Sequence, residues 1–192
     1  MASISKALTR NVVLTGVTPI LFDKYAGDNK TQLAPEQKLY LNENRVVVLP
    51  SLNITSFLSA INTESAPKML LDKREYKTVC SALLASTVIT PSLIPFLKNG
   101  KEIKFGGSFV DDFDAVSGMK LVYHVARLDK GIPNPKVRPM LETPWELKFK
   151  LTVLPHPDLN EDLIENLFVD GGYRLGLGTF RKAYGKFEFA WE

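Results

Sequence analysis

The stretch WELKFKLTVLPHPDLNEDLIENLFVDGGYRLGLGTFRKAYGKFEF, residues 145–189, contains the pattern that decides the fold. Residues 145–154 alternate apolar and polar side chains, which predicts a half-buried strand. Asn160 is a good helix N-cap and is followed by apolar residues at helical spacing, so a helix is predicted over 160–170. After a glycine-rich stretch, residues 183–189 predict a final strand. The segment is therefore expected to form strand, helix, strand.

The N-terminal half of the chain predicts the same arrangement. Residues 11–15 predict a strand, residues 51–63 a helix that starts after a proline, and residues 86–90 another strand. The combined order is β-α-β-β-α-β. This order predicts an α+β fold with a ferredoxin-like (RRM-like) core, in which helices cover one face of an antiparallel sheet.

Two insertions, at about 23–49 and 98–144, interrupt this order within a single domain over residues 1–192. The second insertion contains a predicted strand at 121–127. Residues 128–144 are rich in proline, which predicts a long, mildly basic loop rather than a strand. Its cations are Lys130, Lys136 and Arg138.

Composition sets limits on the class of protein. The chain has 192 residues, 45% of them hydrophobic, which is enough to fill an ordinary core. Its single Cys80 cannot form an internal disulfide and is predicted to be a small core residue. No stretch approaches the roughly 18 apolar residues of a membrane span. We expect a cytoplasmic protein with no membrane association and no cofactor, and a net charge of +3 that neither requires nor excludes a polyanionic partner.

The glycine-rich C-terminal segment predicts nucleic-acid binding. Glycine permits positive φ and close approach of a ligand, so its amides can face phosphate oxygens. Arginine and lysine supply positive charge, and aromatic rings offer faces on which unpaired bases stack. The predicted binding residues are Tyr173, Arg174, Gly176, Gly178, Phe180, Arg181, Lys182, Tyr184 and Lys186, together with Lys136 and Arg138 of the second insertion.

A nucleotide-cofactor site and a purely structural role are the alternatives for these glycines. Walker and dinucleotide-binding loops connect a strand to a helix, whereas this segment connects a helix to a strand, so an ATP or NAD site is not predicted. In the structural role, Gly171 and Gly172 end the preceding helix and the later glycines form tight turns.

Two stretches resemble a known family. GLGTFRKAYGKFEF, residues 176–189, resembles the glycine-rich loop of the RAMP superfamily, which includes ferredoxin-like backbone and crRNA-processing subunits of CRISPR effector complexes. VVLTGVTPILF (12–22) and RVVVLPSLNITSFLSAI (45–61) resemble the opening strand, hairpin and first helix of that family. Asn53 stands where family backbone subunits have glycine, and the helix is largely neutral. The resemblance therefore does not imply guide-RNA contact by this helix.

The ending is also similar to uncharacterised RAMP-like proteins of phages and prophages, on the basis of Arg138-Pro139 and the GxGxxR pattern at 176–181. The chain is short for a complete CRISPR backbone subunit. The resemblance implies a phage-type relative in the host cytoplasm that binds single-stranded RNA or DNA. It also implies side-by-side assembly as a homo-oligomer or filament.

Catalytic candidates are weak, and no enzyme is predicted. His124 lies in an apolar strand, where a structural histidine is the expected interpretation, and His156 lies between two prolines. Three aspartates near residue 112 suit a divalent cation, but a solvated acidic loop is the expected interpretation. Some RAMP backbone subunits cut RNA with a loop aspartate, and the surroundings of Asp28 do not match that loop. The three aspartates are Asp111, Asp112 and Asp114.

The main hypothesis is a non-catalytic, sequence-tolerant protein that binds single-stranded nucleic acid. The alternative is a structural or protein-interaction subunit of phage origin, such as a virion component or a mimic of a CRISPR subunit, that binds no nucleic acid. A metal-dependent nuclease is a third hypothesis, and it requires aspartates that converge on one pocket.

Overall fold

A computed structural model describes residues 4–28, 31–127 and 133–192 of the chain. It is an α+β structure of antiparallel sheets and helices. The strands are β1 (Leu8–Gly16), β2 (Ile20–Leu21), β3 (Val48–Pro50), β4 (Thr87–Thr90), β5 (Leu93–Lys98), β6 (Lys101–Glu102), β7 (Phe113–Asp114), β8 (Met119–Arg127), β9 (Pro133–Leu141), β10 (Glu146–Val153) and β11 (Phe187–Trp191). The helices are α1 (Ser51–Ser59), α2 (Ala66–Leu70), α3 (Glu75–Ser86) and α4 (Glu161–Arg174), and Pro35–Lys38 form a 3-10 turn.

The larger sheet has the strand order β11-β1-β10-β5-β3. Strands β4 and β5 both pair with β10 and lie along it one after the other. Strand β6 pairs with β5. In the centre of the sheet, Leu14 of β1 is paired with Leu147 of β10 on one side and with Phe189 of β11 on the other. Each of these strand pairs is antiparallel.

Helices cover one face of this sheet. Alternate residues of β1 and β10 point to that face and are buried, as the period-2 pattern predicts. Phe168 of α4 stacks on Phe57 of α1 at 5.7 Å between ring centroids and on Phe189 at 5.0 Å. Phe57 also contacts Phe187, at 5.6 Å. These rings join α1, α4 and β11 into one core.

The helix predicted over 160–170 is confirmed as α4, and it is longer than expected. Its N-cap is Asn160, whose side-chain oxygen accepts a hydrogen bond from the Leu163 amide at 2.8 Å. Gly171 and Gly172 lie inside the helix instead of ending it, and the helix continues to Arg174. Both glycines are buried where a methyl group would overlap α1, α2 or β11. Close helix packing therefore explains this pair.

The other boundaries shift by a few residues. The predicted strands 11–15 and 145–154 are β1 and β10, and the helix predicted over 51–63 ends at Ser59. The final strand starts at Phe187 instead of residue 183 because the preceding residues belong to the glycine-rich loop. Cys80 is buried, as predicted. Among the described residues, no helix has both the length and the apolar character needed to span a bilayer.

A smaller sheet has the order β2-β9-β8-β7, and its main component is the β8–β9 hairpin. The prediction of a loop over 128–144 is wrong for residues 133–141, which form β9. The Pro139 carbonyl accepts from the Phe22 amide, and the Val137 carbonyl accepts from the Lys38 side chain, so both carbonyls face away from β8. By strand alternation, Pro133 and Pro135 have the same orientation, so β8 loses no hydrogen bond to a proline nitrogen. Lys130 lies outside the described residues.

Candidate nucleic-acid interface

The glycine-rich loop, residues 175–186, connects α4 to β11 and lies against residues 17–21. Main-chain hydrogen bonds hold it there. They are Val17 N–H to Lys186 O (2.8 Å), Gly185 N–H to Pro19 O (2.8 Å) and Thr179 N–H to Leu21 O (3.1 Å). The loop is therefore tied to the connection that follows β1.

The loop glycines have positive φ, as their clustering in the sequence predicts. The values are 74° at Gly176, 77° at Gly178 and 70° at Gly185. The atoms nearest to them belong to the chain itself: a Cβ at Gly178 would lie 2.6 Å from the Leu21 carbonyl oxygen, and one at Gly185 would overlap the Leu177 carbonyl. Tight turns and close main-chain contact account for these glycines.

The loop meets the β8–β9 hairpin at a cluster that we call the loop–hairpin junction: Phe180 and Tyr184 of the loop with His124, Lys136 and Arg138 of the hairpin. The Phe180 ring lies 4.8 Å from Arg138 Cζ and 5.1 Å from the His124 ring. The Tyr184 hydroxyl is 3.1 Å from His124 Nε2. Lys136 is the cross-strand neighbour of His124. Two segments that the sequence identified separately thus lie together.

Sequence reasoning did not include His124 among the binding residues. In β8 it alternates with Tyr123 and Val125, which are 64% and 61% exposed, so it lies on the opposite face of the strand. Nε2 has the hydrogen bond expected of a structural histidine, whereas Nδ1 is buried without a partner among the described residues. The β8–β9 register, which a single strand pattern does not reveal, places this side chain opposite Lys136.

Arg138 is buried beside a carboxylate. Its Nε and Nη2 lie 2.9 and 2.8 Å from Asp23 Oδ2. Lys38 is also buried, with Nζ 3.5 Å from Asp23 Oδ1 and 2.6 Å from the Val137 carbonyl oxygen. Nη1 of Arg138 is buried and has no hydrogen-bond partner among the described residues. The cluster thus has two cations for one carboxylate.

Arg181 and Lys182 attach the loop to the connection between α1 and α2. Arg181 Nη1 donates to the Glu64 carbonyl oxygen at 3.2 Å, and Lys182 Nζ donates to Glu64 Oε1 at 2.8 Å. Burial lowers the pKa of Arg181, against the opposing effect of Glu64, but a guanidinium stays protonated at neutral pH. Lys182 must give up its ion pair with Glu64 to bind a phosphate, and Arg181 has one of its N–H donors already in use.

Three predicted cations have no such attachment. Within the described part of the chain, the side chains of Arg174, Lys136 and Lys186 form no hydrogen bond or ion pair with one another or with any other residue. Tyr173, next to Arg174 at the end of α4, donates to Glu188 Oε1 at 2.9 Å, and this hydrogen bond raises the pKa of the tyrosine.

Of the three aspartates near residue 112, Asp114 has a structural role. Burial alone would raise the pKa of Asp114, but hydrogen bonds from the Ser117 side chain and from the amides of Gly106, Ser117 and Val116 together lower it. Asp112 accepts from the Tyr123 hydroxyl at 2.8 Å. Over residues 4–28, 31–127 and 133–192, no group of three or more His, Cys, Asp or Glu side chains is arranged to hold a metal ion.

Asp28 lies at a groove between the connection after β2 and strand β9. Its carboxylate accepts from the amide and the hydroxyl of Thr31, at 2.6 and 2.8 Å. The groove has a volume of about 740 Å³, and Lys136 and Val137 line its β9 side. Lys136 therefore lies between this groove and the loop–hairpin junction.

No protein-family model matches the sequence, and a search of curated proteins finds no match. Function is therefore inferred from the residues of the site and their contacts.

Proposed function

We propose that the protein binds single-stranded nucleic acid without catalysis or strong sequence preference, and that the loop–hairpin junction forms its binding surface together with Arg174 and the rest of the glycine-rich loop. The observation that supports this most directly is the meeting of aromatic rings and cations at one place: Phe180 against Arg138 and His124, with Lys136 opposite His124. Proteins that bind single strands combine these two elements, since bases stack on rings and phosphates bind cations.

We infer that a ferredoxin-like core carries this surface. The order β11-β1-β10-β5 separates β1 from β4 and β5 by β10, and separates β10 from β11 by β1. The two strands of each strand-helix-strand unit therefore have a strand of the other unit between them, as in the β-α-β-β-α-β arrangement. On this interpretation β4 and β5 together form the second core strand, and the β2-β9-β8-β7 sheet belongs to the inserted segments.

The three unattached cations, Arg174, Lys136 and Lys186, are expected to contribute most to phosphate binding because no ion pair with a described residue has to break first. Arg181 and Lys182 contribute less as long as Glu64 holds them. Either RNA or DNA is a candidate ligand, since both offer phosphates to cations and bases to aromatic rings. The resemblance of the loop to the RAMP superfamily supports side-by-side assembly of copies along one strand.

The experiment is a fluorescence-anisotropy titration of labelled single-stranded RNA and DNA of about 20 nucleotides, longer than a typical site. Wild-type affinity should fall steeply between about 50 and 200 mM salt. The variant Lys136→Ala/Arg174→Ala should bind more weakly. The slope of the logarithm of its affinity against the logarithm of salt concentration should be shallower by about 0.7 for each lost phosphate contact. Lys73→Ala/Lys77→Ala is the matched control, because it removes the same charge from exposed positions before and within α3.

The proposal fails if the wild type binds neither RNA nor DNA at about 50 mM salt, where such binding is strong. It also fails if the control variant loses as much affinity as Lys136→Ala/Arg174→Ala, since the contribution would then come from net charge alone.

A structural or protein-interaction role is the second candidate, and one observation favours it. Strand β8 presents Tyr123 and Val125 to solvent. Among the described residues, its edge away from β9 is paired only as far as Leu121, whose amide donates to the Asp112 carbonyl oxygen. Exposed apolar strands of this kind pair with other chains. This candidate predicts oligomers or a protein partner in light scattering and pull-down, with no effect of added oligonucleotide.

A further inference from the structure

Phe180 packs against two side chains that each have a buried polar atom without a partner among the described residues. Within the described residues, Arg138 Nη1 and His124 Nδ1 are buried without a hydrogen bond. Both side chains contact the Phe180 ring, at 4.8 Å from Cζ and 5.1 Å between rings. A buried polar group without a partner is destabilising, and such groups in native proteins call for an explanation.

The charge around these atoms also lacks balance. Arg138 and Lys38 are 4% and 7% exposed, and both lie on Asp23, so the cluster has two positive charges against one negative charge. Lys136 and Asp28 line one groove and add one charge of each sign, so the surplus positive charge remains. Buried charges are normally paired, so a surplus cation favours an anionic ligand. A guanidinium with a free N–H matches phosphate geometry well.

The Phe180 ring is partly exposed and does not belong to the hydrophobic core. Phe180 is 37% exposed, so rotating its side chain outward does not open the hydrophobic core. Its φ of 54° lies in the left-handed region, which is unfavourable for a bulky residue. Its backbone amide and carbonyl belong to the glycine-rich loop, not to a strand or helix.

We propose that Phe180 is a lid over a phosphate subsite, formed by Arg138 Nη1 and His124 Nδ1. This inference rests on the proposed function and deepens it. One phosphate of the bound strand takes the place of the ring, and the released Phe180 stacks on a neighbouring base. The Tyr184 hydroxyl lies 3.1 Å from His124 Nε2. In the proposed subsite this hydroxyl donates to Nε2, and the ring proton on Nδ1 is donated to the phosphate.

The test compares the wild type with Phe180→Ala, using inorganic phosphate and a single-stranded oligonucleotide as separate probes. Phosphate binding is measured by calorimetry, and the His124 ring nitrogens are followed by NMR. Phe180→Ala should bind inorganic phosphate about tenfold more tightly, the scale of one hydrogen bond to a charged group. In the wild type, the oligonucleotide should shift the His124 Nδ1 signal, and free phosphate at the same concentration should not.

Two double variants test whether the gain in phosphate affinity depends on His124 and Arg138. Phe180→Ala/His124→Ala and Phe180→Ala/Arg138→Lys should each lose the tenfold gain, with near-UV circular dichroism confirming that both fold. Tyr123→Ala is the matched control: it removes an exposed ring from the opposite face of β8 and should leave phosphate binding unchanged.

The subsite is refuted if Phe180→Ala binds inorganic phosphate no more tightly than the wild type. It is equally refuted if the wild type binds the oligonucleotide while the His124 signal stays fixed. Failure of the wild type to bind any oligonucleotide refutes the proposed function instead, and the phosphate titration of Phe180→Ala then still decides whether the anion site exists.

Discussion

Gly185→Ala should destabilise the protein by more than the loss of a flexible residue explains. Gly185 has φ 70°, and an added Cβ would overlap the carbonyl of Leu177. The left-handed conformation costs an alanine about 1–2 kcal/mol. Forcing a methyl group into a filled space costs about 1–3 kcal/mol. Together they lower the free energy of unfolding by about 2–5 kcal/mol.

Gly100→Ala is the control that separates the two effects. Gly100 has a similar φ of 73°, but no atom lies within 4 Å of its Cβ position. It should therefore lose only the conformational part, about 1–2 kcal/mol. Urea unfolding of both variants should give unchanged m-values and a difference of about 1–3 kcal/mol between them.

Equal losses in the two variants would show that Leu177 does not confine Gly185, and the packing explanation of the loop glycines would be wrong. A Gly185→Ala variant that keeps its stability but loses oligonucleotide binding would instead support a binding role, in which the glycine allows a phosphate to approach.

Three further predictions follow from single contacts. Glu64→Gln should change the free energy of unfolding by only about 0–1 kcal/mol, because its ion pair with Lys182 is half exposed, and should steepen the salt slope of oligonucleotide binding by about 0.7. Asp114 has a lowered pKa, so its contribution to stability is complete above the usual carboxyl pKa of about 4 and is lost as pH falls through the folded value. Asp114→Asn should therefore lower the urea midpoint at neutral pH and flatten its decline below about pH 4. Phe168→Ala removes a fully buried ring and should cost about 3–5 kcal/mol by calorimetry or urea unfolding.

The proline-rich part of the second insertion shows where local patterns mislead. Three prolines in 133–141 argue against a strand, yet these residues form β9. Proline harms a sheet only on the side where its missing N–H would have bonded to a neighbour. That side depends on the location of β8, which is a matter of tertiary structure.

The candidate binding residues also divide into those that the sequence reveals and those that depend on tertiary structure. The clustered glycines, cations and aromatic residues of 173–186 are visible in the sequence, and they identify the loop that contacts the hairpin. The bonds of Arg181 and Lys182 to Glu64 join residues more than a hundred positions apart and leave no local signal. His124 belongs to the candidate site because the β8–β9 register places it opposite Lys136.

Helix caps and hydrophobic periodicity act over a few residues, which is why Asn160, α4 and the alternating strands β1 and β10 are recognisable in the chain itself. Positive φ at the loop glycines is likewise a property of single residues. Ion pairs, cross-strand neighbours and burial depend on the distances between remote segments after folding. The junction of Phe180 with His124 and Arg138, and the surplus charge beneath it, therefore exist only once the hairpin and the C-terminal loop are brought together.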